Sequence, residues 1–306
     1  MTVCVRVDVR GEQATRWREA LARALPEARF EDTATDVDYL IAWRPAVETL
    51  QRVRVRKAVF NLGAGVDALL GVPTLPPGVA IYRLADAGMA EQMAEYAVMT
   101  VLRAYREMDV YARAQADGRW TPRARLDKSD FGVAVLGLGV LGRAVIDALR
   151  PFGFPLHGHA RRPCALDGVE VFGGAAALEA CLARARVCIC LLPSTPDTRD
   201  LFDRARFAWL PRGAHFVNLS RGDLVVEHDL IDALDRGYLA SATLDVFREE
   251  PLPPTHPFWH HPKITLTPHV SALTLIGPSV AQVASGIRAI ESGREPPGRV
   301  DRSHGY

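Results

Sequence analysis

Three side chains with complementary chemistry follow strand-like runs near the end of the chain: Arg221, Glu250 and His269. The runs are Phe216–Leu219, Ala242–Val246 and Ile264–Thr267. In parallel α/β sheets, binding sites form at the edge where the carboxyl ends of the strands meet. A guanidinium can bind a carboxylate through two hydrogen bonds, and an imidazole can donate a proton to a developing alkoxide. The set therefore predicts chemistry on a carbonyl that lies beside a carboxylate.

Each of these residues also has a plainer interpretation. Arg221 could be a surface charge in an arginine-rich chain, Glu250 a solvated turn residue like its neighbour, and His269 a capped loop histidine. Their shared position after strand ends favours a site. A carboxylate held against an imidazole favours the protonated form of the imidazole and fixes the orientation of the ring. This gives Glu250 a role beside His269.

A glycine fingerprint lies upstream of this set. Phe131–Leu136 is predicted to be a buried strand and Val140–Arg150 the helix that follows it. Gly137 permits the tight turn, Gly139 lets the backbone approach a pyrophosphate, and Gly142 lets the helix pack close to the strand. The helix N-terminus then directs N–H groups at the phosphates. The alternative is an ordinary glycine-rich turn, but the strand before it and the helix after it favour dinucleotide binding.

The segment after the next strand bears on cofactor choice. NAD-binding sites of this type place an Asp or Glu about 20 residues beyond the glycines, where it binds the ribose hydroxyls. Here the strand Pro155–His159 is followed by Ala160 and then by Arg161 and Arg162, with no acidic residue up to Ala165. Arginines can pair with a 2′-phosphate. The sequence predicts NADP, with NADPH preferred over NADH, although both arginines could instead be solvated charges.

The elements that must position these groups alternate between strands and helices. Further strands are predicted at Thr2–Val9, Val37–Trp43, Lys57–Leu62, Val79–Leu84, Val187 and Ala214. Helices are predicted at Gln13–Leu25, Ala46–Arg52, Val66–Leu70, Ala90–Gln115, Ala175–Ala185 and Val280–Glu291. This alternation predicts α/β architecture with parallel sheets covered on both faces. The tail Glu295–Tyr306 is predicted to lie along the surface.

Composition excludes several other classes of protein. The 306 residues carry a net charge of +1, which argues against nucleic acid or anionic membrane as partners. We expect no targeting segment and no membrane span. The five cysteines cannot all pair, and we expect reduced thiols and a cytoplasmic protein. His256, His260 and His261 are expected to be solvated loop residues that hold no metal, and His157 and His159 partly exposed.

Several motifs in a fixed order carry a resemblance to a known family. They are the glycine fingerprint, Asn218–Gly222, Leu244–Leu252 and Thr267–His269, together with Leu62–Asp67, Gln92–Tyr96, Leu192–Thr195 and Val300–Tyr306. The whole chain resembles the D-isomer-specific 2-hydroxyacid dehydrogenases, most of all their glyoxylate/hydroxypyruvate reductase A group. The resemblance implies an oxidoreductase that reduces small 2-oxo acids, with Arg221 binding the carboxylate, His269 donating the proton and Glu250 supporting His269.

The resemblance also implies an organisation in two doubly wound domains. A discontinuous flavodoxin-like substrate domain would span 1–95 and 274–306, a Rossmann cofactor domain would span 96–273, and the active site would lie in the cleft. It implies a homodimer through Ala90–Gln115. The implied cofactor-binding residues are Gly137, Gly139, Val140, Leu141, Gly142, Ala160, Arg161, Arg162, Leu192, Pro193, Thr198, Leu219, Ser220 and Asp245.

Fewer signals mark the substrate-binding residues than the catalytic ones. The turn Gly63, Ala64 and Gly65 could cradle a carboxylate with its N–H groups, and Trp43 could wall the pocket or belong to the core. In related reductases a tryptophan near Trp120 reaches the neighbouring subunit's site, although tryptophan is also a common interface residue.

One departure from the family pattern leaves the physiological 2-oxo acid open. Related proteins often carry a basic residue where this chain has Leu275. A different-class alternative is a non-catalytic dinucleotide-sensing protein of the same fold. The intact Arg, Glu and His set argues against that alternative, and a methyltransferase would not explain the three downstream motifs.

Overall fold

A computed structural model describes residues 3–9, 11, 13–43, 45, 47–70 and 78–302. The strands are β1 Cys4–Asp8, β2 Arg29–Phe30, β3 Asp36–Ala42, β4 Arg54–Asn61, β5 Ala80–Arg83, β6 Val133–Leu136, β7 Leu156–Ala160, β8 Glu170–Gly173, β9 Val187–Cys190, β10 Ala214–Asn218, β11 Leu239–Leu244 and β12 Ile264–Leu266. The α-helices are α1 Ala14–Ala24, α2 Val47–Arg52, α3 Asp67–Leu70, α4 Met89–Tyr105, α5 Met108–Ala116, α6 Val140–Leu149, α7 Leu178–Leu182, α8 Arg204–Trp209, α9 Glu227–Asp235 and α10 Ile276–Glu291. The chain forms two compact units: unit 1 is Met1–Met89 with Thr274–Tyr306, and unit 2 is Ala90–Leu273.

Unit 1 is built on a five-stranded parallel sheet in the order β2-β1-β3-β4-β5. This is the flavodoxin-like order, as predicted. Branched apolar residues of β3, β4 and β5 pack on one face with α2 and α3, among them Leu40, Val59 and Ile81. These buried side chains come from alternate strand positions because successive side chains point to opposite faces.

The other face of this sheet carries a row of aromatic rings. The centroids of Phe60 and Tyr82 lie 5.3 Å apart in a stacked arrangement, and Tyr39 packs on Phe60 at 6.1 Å. Helix α10 contacts this row: a Cβ on Gly286 would lie 2.8 Å from the Phe60 ring, and the Tyr39 hydroxyl donates to Glu291 at 2.5 Å. The last helix of the chain therefore completes a core that the first strands begin.

The C-terminal tail runs along the edge of the sheet of unit 1 and pairs with β5. Val300 donates its N–H to the Ile81 carbonyl at 2.8 Å, and Arg83 donates to the Gly298 carbonyl at 2.8 Å. The Val300 side chain is buried. Most described residues of the tail are exposed or half-buried, but the expectation did not include its pairing with β5, whose edge has backbone groups that need partners. Residues 303–306, which end the tail motif, lie outside the described residues, as do Thr2, Arg44 and Ala46.

Unit 2 is built on a seven-stranded parallel sheet in the order β12-β11-β10-β9-β6-β7-β8. The chain starts in the middle at β6, runs to one edge, and returns to β9 to build the other side. This is the doubly wound Rossmann order, which confirms the predicted fold class. Two separate apolar clusters cover the faces; Val133 and Val135 lie in one, and Ala134 and Leu136 in the other.

Several features of the secondary structure were not predicted, among them the helices α8 and α9. Strands β2 and β8 were missed because both are short and contain no fully buried residue. The predicted helix Ala90–Gln115 is two helices, since Glu107 adopts a left-handed conformation with φ 52° between α4 and α5. Among the described residues, no helix is both long and apolar enough to span a bilayer.

Candidate active site

The turn after β10 positions Arg221. The buried side chain of Asn218 donates from Nδ2 to the Arg221 carbonyl at 2.8 Å, and the guanidinium donates from Nη1 to the Ser220 carbonyl at 2.7 Å. Gly222 follows, where a Cβ would lie 1.9 Å from the carbonyl carbon of Phe247. The turn that carries Arg221 therefore packs directly on the backbone of the loop that follows β11.

Glu250 and His269 form a direct pair. Nδ1 of His269 lies 2.8 Å from Oε2 of Glu250, and the other carboxylate oxygen accepts the N–H of Phe247 at 3.2 Å. Because an ionised carboxylate only accepts hydrogen bonds, Nδ1 carries the proton of this contact. Nε2 is then the ring atom that can exchange a proton with a substrate. Neither side chain is fully buried, with 32% of His269 and 21% of Glu250 exposed.

Asp245 holds the backbone of the His269 loop. Its carboxylate is fully buried and accepts the N–H groups of Val270 and Ser271 at 2.8 Å each and the Thr267 hydroxyl at 2.6 Å. Its backbone carbonyl accepts the His269 N–H at 2.8 Å. His269 has φ 57°, which is uncommon for a residue with a side chain and is held here by these bonds.

A tyrosine extends the support of this loop. The Thr267 hydroxyl uses its hydrogen on Asp245, so the Tyr96 hydroxyl, 2.6 Å from Thr267 Oγ1, donates to it. Burial raises the pKa of Tyr96, which keeps the phenol protonated as a donor. Tyr96 belongs to a quoted family motif, but its spacing gave no sign that it would reach the His269 loop.

The glycine fingerprint has the geometry of a phosphate cradle. Gly137 has φ 99°, and a Cβ on Gly142 would lie 1.8 Å from the Gly137 carbonyl oxygen. A Cβ on Gly139, by contrast, would meet no atom within 4 Å. Gly139 is also the N-cap of α6 and has no side chain to cap the helix. Open space in front of uncapped N–H groups fits the pyrophosphate of a dinucleotide.

The loops around the fingerprint hold the other predicted cofactor residues. Val140 is exposed and Leu141 half-buried at the start of α6, and Ala160 ends β7, with Arg161 and Arg162 exposed after it. After β9, the Thr198 hydroxyl donates to the Pro193 carbonyl at 2.6 Å and accepts the Thr195 N–H at 2.8 Å. Thr198 thereby shapes the loop that also contains Leu192.

Three predicted cofactor residues are buried. The Leu219 side chain lies in an apolar cluster, the Ser220 hydroxyl donates to Asn218 at 2.8 Å, and the buried Asp245 carboxylate accepts three hydrogen bonds from the His269 loop. The described contacts of these side chains are structural. Cofactor contact by Leu219, Ser220 and Asp245 remains a prediction that would rest on their backbone groups.

The predicted substrate residues of unit 1 lie together at the carboxyl end of its sheet. A Cβ on Gly63 would lie 2.1 Å from the Trp43 ring, so the indole packs on the turn. Asn61 donates from Nδ2 to the carbonyls of Gly63 at 3.1 Å and Gly65 at 2.9 Å, which fixes the turn around Ala64. Trp43 is half-buried and therefore neither pure core nor free surface.

The remaining predicted residues show mixed outcomes. Trp120 is 98% exposed, so its indole lies almost entirely in solvent. His157 and His159 are buried in β7, so the expectation of partial exposure was wrong; burial lowers the pKa of both. His261 is mostly buried against Asp235 and His256 against Glu227, so only His260 is exposed as expected. Among the described residues, no cluster of His, Cys, Asp or Glu could hold a metal.

The comparisons with known proteins agree with this geometry. The family model of the D-isomer specific 2-hydroxyacid dehydrogenase NAD-binding domain matches residues 98–271. This chain belongs to that family. The finding confirms the resemblance carried by the motifs.

Individual members of the family match along nearly the whole chain. The glyoxylate/hydroxypyruvate reductase A of Serratia proteamaculans is 44% identical over 96% of each chain. A D-isomer specific 2-hydroxyacid dehydrogenase from Xanthobacter autotrophicus, solved with NADPH and MES, has a TM-score of 0.95 at 37% identity over the full length of both chains. The NADPH-dependent glyoxylate/hydroxypyruvate reductase of Sinorhizobium meliloti, solved with NADP and sulfate, has a TM-score of 0.94 at 34% identity, also over both full lengths.

Proposed function

We propose that this protein reduces small 2-oxo acids with NADPH, converting glyoxylate to glycolate and hydroxypyruvate to D-glycerate. The carrying observation is the His269–Glu250 pair at 2.8 Å in the same unit as Arg221 and the glycine cradle. The names of the Serratia and Sinorhizobium relatives support the substrate class.

The roles of the three residues follow from their chemistry. Bound NADPH would supply the hydride that reaches the carbonyl carbon. Arg221 binds the carboxylate of the 2-oxo acid and polarises the neighbouring carbonyl. His269 donates the proton from Nε2 to the oxygen as negative charge develops, and Glu250 holds the imidazole through Nδ1 and stabilises the imidazolium. In unit 1, the turn Gly63–Gly65 and Trp43 are the proposed contacts for the rest of the substrate.

The preference for NADPH rests on the end of β7. Arg161 and Arg162 follow Ala160 directly, where NAD-specific sites carry an acidic residue. Two exposed guanidinium groups suit a 2′-phosphate, while an acid there would repel it. The solved relatives that hold NADPH or NADP support this choice.

We also propose a homodimer that forms through α4 and α5. Large apolar side chains are exposed on or beside these helices: Met99, Met108, Tyr111 and Trp120. Trp120 is the candidate for contact with the partner subunit's site. Light scattering should give the mass of a dimer, and a monomer at working concentration would refute the interface.

All five cysteines are free, which supports a cytoplasmic location.

The direct test is a panel of small 2-oxo acids assayed by NADPH consumption, with NADH in parallel. We expect turnover of glyoxylate and hydroxypyruvate and identify the products as glycolate and D-glycerate by chromatography. The panel also tests whether Leu275 accompanies a different substrate preference. Tight NADPH binding without turnover of any 2-oxo acid would favour a non-catalytic dinucleotide sensor instead.

A further inference from the structure

Arg248 joins two of the loops that carry the candidate catalytic groups. It lies on the loop after β11, two residues before Glu250. Its guanidinium reaches the segment that follows Arg221 and donates to the Val225 carbonyl from Nε at 2.8 Å and from Nη2 at 2.6 Å. Nη2 also lies 3.4 Å from the Asp223 carbonyl. One side chain thus holds the backbone of both loops.

A third loop supplies the counter-charge. Asp200, on the segment after β9, forms an ion pair with Nη2 of Arg248. Asp200 has φ 54° and donates its N–H to the Asp223 carbonyl at 2.9 Å. Further along, Phe202 donates to the Leu224 carbonyl at 2.8 Å. The three loops that follow β9, β10 and β11 therefore meet around the guanidinium of Arg248.

The backbone at Arg248 packs closely against Gly222 of the Arg221 turn, so the two loops have little room to shift. A Cβ on Gly222 would lie 1.9 Å from the Phe247 carbonyl carbon and 2.3 Å from the Arg248 nitrogen. The preceding loop residue, Phe247, also donates its N–H to Glu250. A shift of the β11 loop relative to the β10 loop would therefore change the placement of Arg221 against Glu250 and, through Glu250, against His269.

We propose that Arg248 is a positioning residue that locks the Arg221 turn to the Glu250 loop, with Asp200 as its counter-ion. The proposal deepens the proposed function, on which its kinetic part rests. Arg248 touches no reacting group, and it acts by fixing distances. An ion pair this exposed adds little stability, since 35% of the Arg248 side chain and 51% of the Asp200 side chain face water. Misplacement of catalytic groups by about 1 Å, however, can slow a reaction about a hundredfold.

The first arm of the test needs no activity. Amide hydrogen exchange is compared in wild type, Arg248→Ala, and the control Arg236→Ala, which removes a more exposed arginine at the end of α9 that pairs with Asp232 at 2.7 Å. We expect faster exchange in peptides covering 221–226 and 246–251 only in Arg248→Ala. Unchanged exchange in both peptides would overturn the proposal.

The second arm measures kinetics. Arg248→Ala should lower kcat about tenfold to a hundredfold while the KM for NADPH stays within about twofold, because the cofactor cradle is untouched. Free guanidinium, well below denaturing concentrations, should restore part of the lost kcat. Arg248→Lys should be intermediate because one ammonium cannot match the planar fork. Asp200→Asn removes only the counter-ion and should have a smaller effect.

The outcomes separate this proposal from the proposed function. Faster exchange with normal kcat would show that Arg248 holds the loops without positioning the chemistry, which overturns the kinetic claim. A wild-type protein that reduces no 2-oxo acid would defeat the proposed function, while the exchange arm would still decide whether Arg248 locks the loops. If Arg248→Ala does not fold, Arg248→Lys and Asp200→Asn carry both arms.

Discussion

The seven-stranded sheet uses the same residue types for different purposes at its amino edge, where the strands begin, and at its carboxyl edge, where they end. At the amino edge, His157 and Arg184 share Glu170 at 3.1 and 2.7 Å, and His215 bonds the Ser241 hydroxyl at 2.7 Å. These contacts join neighbouring strands and the loops before them. At the carboxyl edge, Arg221, Glu250 and His269 instead come from the loops after β10, β11 and β12. His269 contacts Glu250, and the buried Asp245 holds the loop that carries His269.

This difference indicates that the function of a polar residue in this sheet depends more on which end of a strand it lies at than on its type. Parallel strands put all their carboxyl ends at one edge, and the helix N-termini point there as well. Histidines and arginines have structural contacts at the amino edge, whereas His269 and Arg221 at the carboxyl edge are the candidates for chemistry. Substitutions at the carboxyl edge should therefore change turnover or ligand binding, and those at the amino edge should change stability.

His269→Ala should give the largest effect on turnover. Loss of the proton donor is expected to lower kcat about 10²–10⁴-fold, while NADPH affinity stays near normal because the glycine cradle is unchanged. Steady-state kinetics and NADPH fluorescence titration measure the two quantities. Near-normal turnover would remove His269 from its assigned role.

Arg221→Ala should come next. Removing the group that binds the substrate carboxylate should raise the KM for the 2-oxo acid about tenfold to a hundredfold and also lower kcat. Arg184→Ala, at the amino edge, is the matched control and should leave both constants unchanged. Equal effects from the two arginines would break the contrast between the edges.

The glycines separate fold from binding within the carboxyl edge. Gly139→Ala places a methyl group in open space, so stability should be unchanged while NADPH affinity falls roughly tenfold or more. Gly142→Ala forces a methyl group against the Gly137 carbonyl and should unfold or strongly destabilise the protein. Thermal unfolding and NADPH titration distinguish these outcomes, and an unstable Gly139→Ala would contradict the open cradle.

Arg161→Ala should have a smaller, cofactor-specific effect. Loss of a charge-assisted contact to the 2′-phosphate should raise the KM for NADPH roughly tenfold and leave that for NADH almost unchanged. The ratio of the two constants is the relevant measurement. A wild-type enzyme that uses NADH and NADPH equally well would show the assignment to be mistaken.

His215 should affect activity least and stability measurably. Burial, with a contribution from Arg186, lowers the pKa of His215 to about 4 in the folded protein, whereas an unfolded histidine titrates near about 6.5. The unfolded chain therefore binds more protons between these values, and the free energy of unfolding falls as pH drops through this window.

The His215 effect is best measured as a difference between two pH values. His215→Asn keeps a polar partner for Ser241 and removes the titration. It should shrink the loss of stability between pH 7 and pH 5 by about 2 kcal/mol at most, as measured by urea unfolding. An identical pH dependence in the variant and the wild type would rule out His215 as a source.

The sequence predicted the alternating strands and helices, the glycine cradle and the three catalytic candidates because each depends on local pattern, whereas the doubly wound organisation came from the resemblance to the family. Strand runs and the glycines that follow them are visible within a few residues. The break at Glu107 was not visible, since a left-handed residue that is neither Gly nor Asn leaves no compositional mark. Strand β8 was missed because its apolar and polar residues alternate weakly and because it is the outermost strand on one side of the sheet.

The support of the site was harder to predict than its reacting groups. Asp245 and Thr267 are 22 residues apart, and Arg248 lies 48 residues from Asp200. Such contacts depend on which loops the fold brings together, and spacing along the chain does not record that. The burial of His157 depends in the same way on Glu170, which belongs to an unpredicted strand.

Helix α10 makes the order of synthesis matter for unit 1. The row of Tyr39, Phe60 and Tyr82 emerges from the ribosome early, but its cover begins only at Ile276. At about 5 to 20 residues per second, translation of residues 90–273 separates the row from its cover by roughly 10 to 40 seconds. During that interval unit 2 is synthesised, while the aromatic row of the first sheet lacks the cover of α10 and stays accessible to chaperones and to other nascent chains.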